Sequence, residues 1–137
     1  MLKSVVVGAT DSEGSARAFQ RALQVARASG GTLHLVAALP AKEKRLPYVP
    51  EEFRYTEAGA GRTDWLLGQL RAEAAADDVS VETHPVLADP AEAIARVAAA
   101  EQADLVVVGS GSSHSGHGLS DVPKAVIDTV PCAVLVV

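Results

Sequence analysis

A single cysteine, Cys132, stands among 137 residues, so no disulfide can form within the chain. Its place inside a Val-rich run reads as a packed core thiol rather than a reactive one, and a reducing cytoplasm is the expected compartment. Aromatics are scarce at 4%, which leaves packing to Val, Leu and Ala and few rings to stack on bases. Acidic residues outnumber basic ones 17 to 12, for a net charge of −5. With no basic stripe either, nucleic acid is excluded as a main partner. No run reaches the roughly 18 apolar residues a membrane span needs. The opening Met1-Leu2-Lys3-Ser4-Val5 lacks signal-peptide anatomy, so neither membrane nor export is expected. A G-x-S-x-G elbow is also missing. Ser, His and Asp crowded into one loop do not make a triad, whose members must converge from separate elements. The chain is read as a non-enzyme, with no catalytic residue.

What is present is an apolar share of 48%, enough to bury a core in one domain spanning residues 1–137. Ser4 to Gly8 is a short Val run bounded by a polar turn, the first central strand. Thr10-Asp11-Ser12-Glu13 follows, in which any of the first three can cap a helix and Thr10 stands with Glu13 at capping-box spacing. Phe19, Ala22, Leu23 and Ala26 then recur at helical spacing until Gly30-Gly31 supplies the stop. Thr32 to Leu39 is a second strand ended by Pro40, completing a βαβ unit. Ala41 to Arg62 has no clean period and reads as an excursion that Tyr48, Phe53 and Tyr55 pin to the body.

A second helix opens at Asp64-Trp65, with Trp65 as a core anchor beside Leu66, Leu67, Leu70 and Ala74. Val79 to His84 alternates apolar with polar and meets Pro85, the mark of an edge strand whose wet face carries a solvated His84. Asp89-Pro90-Ala91-Glu92 combines an Asp cap, Pro at the first helical position and Glu at the reciprocal capping position. Asp104 to Gly109 and Cys132 to Val137 are unbroken apolar strands joined through a loop and a short helix, a pattern that only a doubly covered parallel sheet accommodates.

Five strands alternating with four helices predict an α/β fold: a doubly wound five-stranded parallel sheet with helices on both faces. The expected strand order is 3-2-1-4-5, with the polarity-alternating strand on an edge and the first and fourth central. The switch point then lies between strands one and four, where the loops from Ala9 to Ser15 and from Ser110 to Leu119 converge. The second loop holds three glycines and four hydroxyls ahead of a helix, the equipment of an anion cradle. Gly111 and Gly116 have P-loop spacing, but His117-Gly118 stand where Lys and Ser or Thr are required. His114 and His117 read as solvated, and no metal site is expected.

Four stretches together resemble the universal stress protein family: Ala103 to Gly109; Val122-Pro123 with Pro131 to Val137; Asp89 to Ile94; and Val5 to Gly8 with Ser12-Glu13. The resemblance fails only in the excursion after Pro40. It implies a flavodoxin-like, adenine nucleotide alpha hydrolase-like domain of the cytoplasm, a homodimer, with or without a bound adenine nucleotide. By the resemblance the nucleotide site would comprise Thr10, Asp11, Ala37, Gly109, Ser110, Ser112, Gly118, Ser120, Asp121 and Val122, with ATP or another adenine nucleotide as ligand and Mg if ATP.

Nucleotide-binding members carry G-x-x-G-x9-G-[S/T], in which glycines let backbone approach phosphate and the last hydroxyl lies at a helix N-terminus. Here only Gly109 is intact. Ser112 replaces the second glycine, Ser120 the third and Asp121 the hydroxyl residue, and the interval from Gly109 to Ser120 is two residues short. Thr10 stands in place of the family's usual Asp, and Asp11 where glycine is common. A carboxylate at Asp121 repels the phosphate that position would hold. The expectation is a regulatory domain with a degenerate nucleotide site that has lost ATP, the alternative being genuine ATP or AMP binding through a modified loop 109–121. The uncharged final strand, 132–137, invites pairing with a second copy.

Overall fold

The computed structural model describes residues 2–10, 12–39, 57–110 and 121–137. Along the chain lie β1 (Ser4–Gly8), α1 (Glu13–Ser29), β2 (Thr32–Leu39), α2 (Glu57–Ala76), β3 (Ser80–Leu87), α3 (Pro90–Ala100), β4 (Leu105–Val108), α4 (Asp121–Thr129) and β5 (Ala133–Val136). The sheet is parallel throughout, in the order β3-β2-β1-β4-β5, as the strand chemistry predicts. Its β1–β4 junction is sealed at the amino end by Asp104, whose Oδ2 accepts from the backbone N–H groups of Lys3 and Ser4 at 2.8 and 3.0 Å.

Alternation along the central strands sends side chains to two separate cores. Val5, Val7, Leu33, Leu35 and Val107 pack with Phe19, Ala22 and Leu23 of α1 and Leu67 and Ala74 of α2. On the other face Val6, Val36 and Val106 pack with Ile94 and Val97 of α3 and Val126 of α4. Val5, Val6, Val7, Val106 and Val107 are 0% exposed, and each such side chain contributes about 1.5–3 kcal/mol of transfer free energy. The residue pattern of β1 and β4 therefore dictates a two-faced, helix-covered sheet.

Of the three candidate caps of α1, Ser12 is the one used: its side chain accepts from the Ser15 N–H. Other local expectations are corrected. Gly30 does end α1, at φ 72°, the left-handed cap conformation in which its N–H reaches the Ala26 carbonyl. Helix α2 begins at Glu57 rather than Asp64. Its first two turns carry Gly59 and Gly61 and no apolar period, so nothing in the sequence marked them as helical.

Trp65 is 63% exposed and is no core anchor. With Leu67 and Ala74 centred on the sheet, a residue two positions before Leu67 is rotated about 200° around the helix, toward water. Strand β3 runs through Pro85 to Leu87, which an edge strand tolerates. Asp89 precedes α3 as expected but makes no side-chain cap hydrogen bond. Glu92 pairs instead with Arg96, one turn on. Cys132 is half-buried, and burial raises its thiol above the ordinary range, with Asp104 adding to the rise and a backbone hydrogen bond opposing it. Among the described residues no helix is long and apolar enough to cross a membrane.

Candidate functional site

The carboxyl ends of β1 and β4 meet where the strand order reverses, the position at which open α/β sheets receive ligands. Two glycines make that meeting close. A Cβ added to Gly109 would lie 2.6 Å from the Gly14 carbonyl oxygen and 3.0 Å from its Cα, so the chain leaving β4 lies directly against the first turn of α1. Only glycine at 109 admits this approach. Beyond it, the Ser110 N–H donates to the carbonyl of Val137, the residue after β5, at 2.9 Å.

Three hydroxyls organise the β1–α1 turn. Ser15 Oγ donates to the Gly8 carbonyl at 3.1 Å and accepts from the Thr10 N–H at 2.8 Å. Ser12 Oγ accepts from the Ser15 N–H at 3.1 Å and lies 2.9 Å from Thr10 Oγ1. The Ala9 N–H donates to the Val36 carbonyl at 2.7 Å. The described hydroxyls of the turn are thus hydrogen-bonded within it, and an anion seated on the first turn of α1 would compete with the Ser12 cap. Ser15 and Gly14, which sequence reasoning did not single out, do more to shape this turn than Thr10.

Of the ten residues the resemblance named, Thr10, Gly109 and Ser110 lie at this junction. Ala37 is 3% exposed and belongs to the α1–α2 core, where its methyl acts as packing. Val122 is half-buried against the α3–α4 core. Helix α4 spans Asp121–Thr129, so Asp121 is its first described residue. Asp11, Ser112, Gly118 and Ser120, with His114 and His117, lie outside the described residues, as do Tyr48, Phe53 and Tyr55.

A second polar constellation went unread in the sequence. His34 on β2 is 3% exposed, and its Nδ1 lies 2.9 Å from Nε2 of His84 on β3. The rings are tilted at 42° with centroids 5.1 Å apart. His84 is therefore partnered and only 20% exposed at its side chain, which corrects its reading as a solvated residue. Burial pushes His34 below the ordinary imidazole range, and His84 pushes the same way, while Glu101 and Glu82 oppose both. The signal was available in the parallel register, which pairs His34 with Glu82 and Val36 with His84.

Comparison with known proteins places the chain in clear company. The Universal stress protein family matches residues 1–137. A universal stress protein of Mycobacterium tuberculosis is 33% identical over 139 residues, covering 98% of this chain and 95% of the relative. Among solved structures, a universal stress protein in complex with cAMP is 28% identical at a TM-score of 0.75, covering 99% of this chain and 96% of that one. The universal stress protein UspA of Lactobacillus plantarum, 21% identical, shares the fold at a TM-score of 0.84 over 99% and 97% of the two chains.

Proposed function

Because the chain belongs to the universal stress protein family, we propose that it is a single-domain, non-catalytic regulatory protein of the cytoplasm whose switch-point site no longer holds ATP. The observation that carries this reading is the start of α4 at Asp121. In the ATP-binding pattern this helix N-terminus offers a hydroxyl and open N–H groups to phosphate. An acidic residue there repels a triphosphate, whose charge exceeds that of AMP or cAMP. The self-satisfied hydroxyls of the β1–α1 turn support the same reading.

A second reading is genuine adenine-nucleotide binding through the modified loop 109–121. It is favoured by the relative solved with cAMP, whose 28% identity extends over nearly the whole chain. A cyclic monophosphate carries a single negative charge and asks little of the triphosphate cradle, so the retained Gly109–Gly14 approach is compatible with it. Calorimetric titration separates the readings. Silence toward millimolar Mg-ATP, AMP and cAMP supports the regulatory domain without nucleotide, whereas micromolar binding of cAMP or AMP supports the second.

The regulatory reading includes a homodimer formed along β5. This strand ends the sheet, carries no charge from Ala133 to Val136 and exposes Leu135 by 36%. Such an edge is open to extension across a two-fold axis. Sedimentation at micromolar concentration tests this: the wild type sediments as a dimer and Leu135→Glu as a monomer, and a monomeric wild type refutes it.

A further inference from the structure

The His34–His84 pair has two carboxylates beside it. His34 Nδ1 and His84 Nε2 lie 3.9 and 4.0 Å from the same oxygen of Glu82. Glu101, at the C-terminal end of α3, completes a group in which one ligand atom from each of the four residues lies within 4.8 Å of the others. Three separate elements, β2, β3 and the end of α3, are needed to bring these groups together. The position is on the α3 face, toward the β3 edge, and β4 begins only a few residues after Glu101. This is the end of α3 remote from the carboxyl-terminal loops, so the group owes nothing to the nucleotide site.

From this arrangement we infer a binding site for a divalent transition ion of the zinc class, ligated by His34 Nδ1, His84 Nε2, Glu82 and Glu101. Two imidazoles and two carboxylates form the mixed nitrogen and oxygen set that such ions take. A tetrahedral ion holding its ligands at about 2.0–2.1 Å keeps them roughly 3.3 Å apart. The nitrogens, at 2.9 Å, open slightly to meet this, and the carboxylate of Glu82, 59% exposed, swings in. Two carboxylates neutralise a dication, whereas a hydrogen-bonded pair of neutral imidazoles has no need of them.

Packing favours the same assignment. His34 sits on the face that holds Val6, Val36 and Val106, where a polar ring is costly unless paired. Burial disfavours its charged form, and the neutral imidazole is the form that ligates. His84 and Glu82 are open enough to admit an ion from solvent. On binding, whichever ring donates across the His34–His84 contact moves that proton to its far nitrogen, so both facing lone pairs turn to the metal.

The experiment is Zn(II) titration of tag-free, chelator-treated full-length protein, followed by calorimetry and by the ring resonances of its four histidines. One ion per chain is expected, moving the His34 and His84 resonances. Since His34→Ala removes a buried core residue, His84→Ala and Glu82→Gln carry the test. His84→Ala is expected to weaken binding about 100-fold or more, beyond the range for losing an outer-shell partner, and Glu82→Gln about tenfold. A His114→Ala/His117→Ala protein keeps wild-type affinity. Tetrahedral visible absorption with Co(II) reports the geometry. No binding at 100-fold excess over micromolar protein overturns the inference. So does binding that survives in His84→Ala, or that is lost with the two loop histidines.

Discussion

Replacing Gly109 by Ala adds one methyl group at the closest backbone contact in the candidate site. That methyl would start 2.6 Å from the Gly14 carbonyl oxygen and 2.7 Å from its carbon, where ordinary contact begins near 3.4 Å. The obstacle is backbone, so no rotamer change relieves it. Gly109 is not among the positive-φ residues, so alanine can adopt its conformation and the whole cost is steric. Overpacking of this kind costs about 1–3 kcal/mol. With an unfolding entropy of about 2.1 cal/mol/K per residue, a chain of 137 residues loses roughly 3.5 °C of Tm per kcal/mol. Thermal denaturation followed by circular dichroism should therefore show a fall of about 3–10 °C. Gly68→Ala is the control: among the described residues no atom beyond its chain neighbours and its own helix backbone lies within 4 Å of its added Cβ, and a helical Gly→Ala change raises stability by about 0.5–1 kcal/mol. If Gly109→Ala melts with the wild type, the close approach of β4 to α1 is wrong.

Three further outcomes follow from other parts of the fold. Trp65→Ser should cost less than about 1 kcal/mol by urea denaturation, against about 3–5 for a buried tryptophan, and the wild-type tryptophan emission should be quenched readily by iodide, given its 63% exposure. Cys132, whose thiol burial raises, should alkylate with iodoacetamide more slowly than a small free thiol at pH 8, because less of it is thiolate. A rate equal to the free thiol's contradicts that environment. Asp121→Ser removes the charge at the start of α4 and should bring Mg-ATP binding from beyond the millimolar range into it, a gain of about tenfold or about 1.4 kcal/mol. Unchanged or weaker binding by calorimetry counts against the repulsion argument.

The central strands were legible because burial on both faces leaves no room for polar residues. The Val runs at Val5–Val7 and Leu105–Val108 therefore declared β1 and β4, and their neighbours set the order β3-β2-β1-β4-β5. Edges and helix starts were less legible, since several local solutions are close in energy there. Thr10, Asp11 and Ser12 all offered a cap and only Ser12 supplies it, Pro85 sits within β3 rather than after it, and the glycines of early α2 concealed two helical turns. The size of Trp65 does not set its burial, because Leu67 and Ala74 decide the orientation of α2.

At the switch point, Gly109 was readable as a backbone approach, but its partner Gly14 was not, because that contact joins residues far apart in sequence. The His34–His84–Glu82–Glu101 group has the same character. Each member looks ordinary on its own element, and only the register of β2 against β3 and the end of α3 bring them together.

The most direct test of the account is calorimetric titration of the wild-type protein with ATP in the presence of magnesium. No heat of binding is expected up to millimolar ATP, because on the proposed reading the acidic Asp121 at the start of α4 repels the phosphates. Saturable binding with a micromolar Kd would contradict it.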